Sequence, residues 1–552
     1  LPPVQAVFSA RCGANLTVGV GCVDGEPGTL YFSDRQLLGD MPWYHSGQLN
    51  FADVTDTITF TDLIMSNGHI RLPAGITTVA VDGDLIVDGI KGRFEIGGGG
   101  HYAVLRGPWR HQTPAPAPTM VTVAGDAIVC GGATLWLIPP QTNGIDNVEG
   151  LVMEVGGRFE VAAGSVYKPL SDPVNGASVA VKCRDMLLAA GAKVDVHGTG
   201  FIGGRGSVGL GPGASTHRGG GGHGGYGGYY VSTQPRGLPY GDEFYPLYAG
   251  SGGGGAHSSH VGGHGGGRIR FAVAGSAFVD CLLDAAGLSP FGDQASGGSG
   301  GSILIECRRF MGGAECELLV TGGRTIGNFG GGGGGGRIAL IYGDSFEFAG
   351  SYDVSGGTGY AENGAVGTMA IVDRGPVVTN LPATDTGYSM ARVHGEVLSV
   401  GQAVTEVAVY WGTSDGGTDA KAWQNFEPYA ETTAGLVSNL LINLQGETQY
   451  YYRYHATNAY GAKWSPVSSA FSTLGGPGVE NNAGATNITV CSALLQGVVV
   501  SGNPLPQTCI AWGDTDGGDA GLTAWQNVIP LGEVLGPFSA SVEGLLANKT
   551  YH

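Results

Sequence analysis

The chain has 552 residues, 104 of them glycine, with 46 acidic against 27 basic side chains and a formal net charge of −19. Its 42% hydrophobic content supplies a sizeable core and excludes both a glycine/serine linker and a disordered chain of low hydrophobicity. Clumped glycines without a strict third-residue period exclude collagen. No Lys/Arg cluster stands ready to track a phosphate backbone, and no apolar run reaches the roughly 18 residues of a membrane helix, so neither nucleic-acid binding nor a membrane span is expected.

Residues 1–50 are read as an N-terminal β cap. The chain opens on Leu1-Pro2-Pro3 with no initiator Met, the pattern left when a leader is removed or a record begins inside a precursor. Nine cysteines occur: Cys12, Cys22, Cys130, Cys183, Cys281, Cys307, Cys316, Cys491 and Cys509. None stands in a CxxC pair, so zinc and redox spacings are absent. An extracellular or periplasmic chain with some disulfides is expected, with Cys12, Cys22, Cys281, Cys316, Cys491 and Cys509 as candidates and at least one thiol left over.

From about residue 51 to 375 the sequence repeats. "GASVAVKC" from Gly176, "GGRIRFAV" from Gly266, "GGSILIEC" from Gly300 and "GGRIALIY" from Gly335 each open an alternating apolar strand at Val179, Ile269, Ile303 or Ile338. A second short strand follows and closes on Gly198, Gly287, Gly322 or Gly356, at distances of 19, 18, 19 and 18. The period from Ile269 to Ile303 to Ile338 is 34 then 35, with a weaker copy at Met369. "GRFEI" at Gly92 and "GRFEV" at Gly157 lie 65 apart, close to two such periods. Two strands per turn closed by a glycine-rich loop describe a parallel β-helix, a solenoid whose turns cover one another's apolar faces. Cys281 and Cys316 share a phase in consecutive turns and are expected to stack, at a spacing that a disulfide tolerates.

Every turn places its glycine-rich loop on the same side, from "GGGGHGGYGGYY" to the seven glycines 330–336. Loops without side chains can stack closely and bond backbone to backbone in extended or polyproline-like form, with Tyr226, Tyr229 and Tyr230 as apolar cover. Such order is easier to obtain in an assembly where neighbours clamp the loops.

Matches to G-x-S-x-G and G-x-G-x-x-G follow from glycine content alone and lack the strand-turn-helix context those motifs need. His257, His260 and His264, with His217 and His223, have the spacing of a transition-metal loop. Asp195, Asp284 and Asp353 recur three before the closing glycine, as a structural ladder predicts; a single active site would break the repeat. Sequons stand at Asn15, Asn487 and Asn548, glycan acceptors in a eukaryotic secreted protein.

After a linker at 376–386, two copies of about a hundred residues follow, 387–475 and 476–552. "VYWGTSDGGTDAKAWQN" returns as "IAWGDTDGGDAGLTAWQN". Trp411 maps to Trp512 and Tyr450 to Tyr551, both 101 apart. Asp415, Asp419, Asp514, Asp516 and Asp519 around the DGG turns are candidate calcium ligands, the plainer reading being Asx turns. A leucine six before a tyrosine, then an alternating strand, resembles the fibronectin type III pattern at Leu444/Tyr450 and Leu545/Tyr551. The resemblance implies a β-sandwich in which each tyrosine is the corner residue. It departs at Gly446 and Ala547, where proline is usual, and in the WG-x-x-DGG-x-A-W-Q-N insertion. Similar modules occur in large repetitive bacterial surface proteins that also carry glycine-rich β-helix segments. Against the first copy the second stops early, so continuation of the native chain beyond His552 is expected.

The expectation is therefore an all-β chain, a glycine-rich parallel β-helix followed by tandem fibronectin III-like sandwiches. The expected role is a non-enzymatic, secreted or cell-surface structural protein that associates with itself in a fibre, layer or adhesin, with no certain cofactor and calcium as the leading candidate. The competing expectation is a carbohydrate-binding or polysaccharide-cleaving protein for cell-surface glycans, with Tyr226, Tyr229, Tyr230 and the histidines at its site.

Overall fold

The computed structural model describes the strands from Thr29 to Ile96 with some of their turns, and the chain from Met120 onward apart from residues 140–148, 216–217, 233–234, 326, 328 and 503. Cys12, Cys22, Asn15, His217 and most of the expected cap lie outside the described residues. The protein is nearly all β, with strand in 46% of it and no α-helix among the described residues. Two compact units are formed, Leu1–Asp373 and Arg374–His552.

The first unit contains a ten-stranded and a fifteen-stranded sheet, with parallel pairing throughout both. The chain passes between them in a fixed order. Arg268–Val273 and Ser276–Val279 lie in the larger sheet and Leu282–Asp284 in the smaller, and the same triplet recurs as Ser302–Glu306, Arg309–Gly312 and Glu317–Leu319. Each repeat thus has three strands rather than two, because the chain turns a corner between the first pair. The corner is only two residues long, Ala274-Gly275 or Gly343-Asp344, and at Cys307-Arg308 the apolar alternation slips phase between Ile305 and Phe310.

The register carries the repeat. Val181 pairs with Phe271, which places Val179 beside Ile269, and the column continues through Ile303, Ile338 and Met369. These positions face a single apolar core of Val, Ile, Leu and Phe side chains, with the Phe310 and Phe346 rings stacked at 5.3 Å. Burial of such columns is the main favourable term, about 25 cal/mol per Å² of apolar surface. Two further readings change. Arg93–Ile96 belongs to the ten-stranded sheet, whereas Arg158–Val161 lies in the larger one, so "GRFEI" and "GRFEV" are not copies two turns apart. Between Val196 and Gly267 the chain leaves the coil and returns one layer on, since Lys193 pairs with Leu282.

A Gly-Asp ladder, missed in the sequence, ties the corners. The carboxylates of Asp62, Asp84 and Asp126 accept the backbone N–H of Asp84, Asp126 and Arg158 at 2.8, 2.7 and 2.7 Å. The glycine before each donating residue makes room: a Cβ at Gly83, Gly125 or Gly157 would collide with the carboxylate of the preceding corner.

The expected stacking of Cys281 on Cys316 is present, because Leu282 pairs with Glu317, but the disulfide is not. In-register neighbours hold their Cβ atoms about 4.8 Å apart with parallel bonds, farther than the roughly 3.8 Å a disulfide requires. Cys491 and Cys509 are likewise free thiols. Cys491 is exposed beside the strand Ser492–Ser501, while Cys509 lies on Gln507–Trp512 of another sheet.

In the second unit, Val377–Thr384, in the expected linker, is a strand. It pairs with Met390–Ser399, which pairs with Gly435–Ile442, all antiparallel. A five-stranded antiparallel sheet faces the same core, which holds Val393, Val409, Leu444, Tyr450, Tyr452 and Tyr454. The second copy repeats the layout up to Gly513, whose backbone exchanges two hydrogen bonds with His552, as Gly412 pairs with Tyr451.

Candidate functional site

The candidate site is the glycine block of the first unit and the side chains it carries. Glycines 330–336 are buried. Their donors follow a three-residue cycle. Gly331 and Gly334 donate to the carbonyls of Arg218 and Gly221, Gly332 and Gly335 to those of Glu362 and Ala365, and Gly333 and Gly336 to those of Gly323 and Val320, all at 2.7–3.2 Å. Their carbonyls are used in the same way. Gly331 and Gly334 accept from Gly297 and Gly300, Gly332 and Gly335 from Gly228 and Gly225, and Gly333 and Gly336 from Gly357 and Thr368. Three residues per turn without internal bonds is polyproline II geometry, and here the backbone bonds laterally to stretches on all sides. A Cβ at any of Gly331 to Gly336 would collide with a neighbouring carbonyl, so the composition is a packing requirement. Every clamp comes from the same chain. A second copy is therefore not needed to hold the run still, and that argument for assembly falls.

Two histidines are sealed into this block. His223 is buried, with Nδ1 2.9 Å from the Gly300 carbonyl, and burial pushes its pKa down to about 3, helped by the nearby Arg337 charge. Burial likewise brings His264 down to about 4. The His257 and His260 rings lie 5.8 Å apart, and His260 Nε2 meets the Asp293 carboxylate at 2.9 Å. His264 is buried away in the glycine layers instead of completing a loop site with them. Among the described residues no three His, Cys, Asp or Glu side chains are arranged to hold a metal ion.

The DGG carboxylates are likewise used by turns. Asp415 accepts the Gly417 N–H and the Ser468 hydroxyl, Asp419 caps the turn at Lys421, and Asp516 accepts the Gly518 N–H. Asp514 is engaged by Lys549 and Gln526, and the hydrogen bond from Lys549 lowers its pKa. Asp519 is not brought into a ligand set with them. The rest of the insertion closes the loop: Trp423 covers Gly416, Gly417 adopts φ +58°, and Gln424 accepts the Thr413 N–H at 2.8 Å. Asn487 and Asn548 are exposed at left-handed positions of φ +50° and +61°.

Both tyrosines close corners. Tyr450 Oη accepts the Gln445 N–H at 2.9 Å and Tyr551 Oη that of Leu546 at 3.0 Å, with Trp411 and Trp512 packed on them at 6.0 and 5.9 Å.

On the ten-stranded sheet Asp195 pairs directly with Asp284, while Leu319 separates Asp284 from Asp353. Lys168 meets Asp195 at 2.7 Å, Lys193 bridges both carboxylates at 3.4 and 3.3 Å, and His197 reaches Asp284 at 3.3 Å. Burial raises the Asp284 pKa, but the His197 and Ala286 hydrogen bonds and Lys193 outweigh it and bring it to about 2. The pair is a neutralised ladder of fixed charges. Neither carboxyl is held protonated as a general acid would be.

Tyr226 lies exposed under the Arg236 guanidinium at 4.6 Å, and Tyr230 packs on Phe329 and Tyr360. Phe329, Tyr360 and Arg218 were not singled out in the sequence, and only their position beside the glycine runs signals them.

No known sequence family and no curated protein matches this chain. Among solved structures, the sensor domain of the anti-sigma factor RsgI4 from Pseudobacteroides cellulosolvens is similar over 18% of this chain and 95% of its own, at 13% identity and a TM-score of 0.14. That likeness is too slight to carry a structural or functional argument.

Proposed function

We propose that this chain is a non-enzymatic structural protein of an extracellular surface assembly, built as a glycine-rich parallel β-helix followed by fibronectin III-like sandwiches. The observation that carries the reading is the lateral hydrogen bonding of glycines 330–336, which turns the loops of successive coils into one rigid body. Supporting it, the recurrent polar residues obey the coil register and neutralise one another. The tyrosine corners favour the sandwich reading. Extracellular placement rests on the resemblance to surface-protein modules, since the described cysteines are free thiols.

Assembly into a fibre or layer is part of the proposal, and it uses surfaces other than the glycine block. The outermost loop, "TGYAENGAV" at 358–366, carries side chains where the inner layers carry glycine, with Tyr360 60% and Val366 66% exposed. Those side chains stop a further glycine layer from adding. Electron microscopy of the concentrated chain tests the idea. Filaments or sheets that persist with a calcium chelator are expected, and dispersed monomers at every concentration would overturn self-association.

A further inference from the structure

We propose that Tyr230, Phe329 and Tyr360, grouped around Arg218, form a binding platform for a pyranose polysaccharide. The three rings come from three different loops, with centroids 5.8 Å apart for Tyr230 and Phe329 and 6.4 Å for the other two pairs. The Tyr360 plane lies 32° from Tyr230 and 34° from Phe329, while Tyr230 and Phe329 are tilted 58° to each other, so Tyr360 sits between two inclined rings in a shallow aromatic cradle. Tyr360 is 60% exposed and Phe329 36%. The Arg218 guanidinium stacks 5.1 Å from the Tyr230 ring and 5.4 Å from Phe329, and it donates to Gln294 at 2.6 Å. Alongside, Arg236 stacks on Tyr226 and pairs with Glu362 at 2.9 Å.

The glycine block positions this platform. Three consecutive glycines anchor three of its residues through the backbone: Gly330 O accepts the Tyr360 N–H, Gly331 N–H donates to Arg218 O, and Gly332 N–H donates to Glu362 O. A platform fixed in this way spends little entropy on binding.

The ligand class follows from elimination and from chemistry. A chain with net charge −19 repels a nucleic-acid backbone. A stable protein partner needs about 800 Å² of buried surface per side, more than three rings offer, and a small apolar ligand needs a concavity. A sugar chain suits an open surface. The C–H face of a pyranose packs on exposed aromatic planes, and its hydroxyls meet the guanidinium, amide and carboxylate groups at the rim.

Affinity electrophoresis of the full chain in gels containing hydroxyethylcellulose, xylan or polygalacturonate tests this without assuming self-assembly. Retardation by at least one polymer is expected, weakened about tenfold by Tyr360→Ala and retained by Tyr360→Phe. Tyr352→Ala, an exposed ring on the strand Ser351–Asp353, serves as the control and is expected to leave retardation unchanged. Circular dichroism checks that each variant folds. No retardation by any of the three polymers, or retardation indifferent to Tyr360→Ala, overturns the proposal, whereas neutral against acidic polymers tell which pyranose class is held.

Discussion

Gly333 donates its backbone N–H to the carbonyl of Gly323 at 2.9 Å, tying the glycine run to the loop that follows the strand Glu317–Leu319. On another side, a Cβ at Gly333 would run into the carbonyl of Gly298. Gly333→Ala is therefore expected to cost about 3 kcal/mol, from overpacking and the hydrogen bonds it displaces. Gly164 is the contrast, with φ +76° and no atom within 4 Å of an added Cβ. Gly164→Asn keeps a residue that tolerates the left-handed region and should cost less than about 1 kcal/mol. Urea unfolding of the two variants measures the difference, and equal losses would remove the packing explanation of the glycines.

Acid should loosen the glycine block before it reaches the carboxylates. Unfolded histidine takes up a proton below about 6.5, while burial keeps folded His264 neutral to about 4 and His223 to about 3. Between those values the unfolded chain binds more protons, so stability falls as pH drops, by about 1.4 kcal/mol per unit for each histidine. Asp284 acts later, its stabilisation being present above about pH 4 and lost as pH falls towards its folded value of about 2. The urea midpoint is expected to drop between pH 7 and pH 5, and His223→Gln with His264→Gln should flatten that slope. A midpoint indifferent to pH over this range would sink the account.

The thiols divide by burial. Cys491 is exposed, whereas burial pushes Cys183, Cys281, Cys307 and Cys316 up to about 12 and, with a hydrogen bond to Asp88, Cys130 to about 11. Thiolate is the reactive form. Ellman's reagent should therefore label Cys491 promptly in the native chain and those five only after denaturation. Prompt labelling of Cys281, or a Cys281–Cys316 crosslink in a peptide map, would contradict the stacked free thiols.

Much of the first unit was legible because a coil repeats its side-chain pattern. The column through Ile269, Ile303, Ile338 and Met369 stands in the sequence as a spacing and in the structure as a register. What escaped has physical causes. The middle strand of each coil hides behind a corner too short to read as the end of a strand. The Gly-Asp ladder looks like ordinary turn composition until one carboxylate is seen to cap the next coil. "GRFEI" and "GRFEV" misled because both sheets ask for the same alternating strand, and only pairing tells them apart. The aromatic platform was half visible, Tyr230 being conspicuous beside glycines while Phe329 and Tyr360 meet it only through loop packing.

The tyrosine corners offer a comparison inside one molecule. Tyr450 is buried and its strand, Gln449–Thr457, is paired on both sides, so its hydroxyl fixes a loop against a complete sheet. Tyr450→Phe removes the bond to the Gln445 N–H while leaving the ring on Trp411, and should cost about 1 kcal/mol. Tyr551 makes the same bond to Leu546 but is only half-buried. Here the loop is held by less, and Tyr551→Phe should release it locally, raising hydrogen exchange at Leu546 and Gly513 with little change in the global midpoint. Exchange rates at Gln445 and Leu546 in the two variants check the distinction. A global loss from Tyr551→Phe matching that from Tyr450→Phe would mean that the second corner is as tightly coupled to its module as the first.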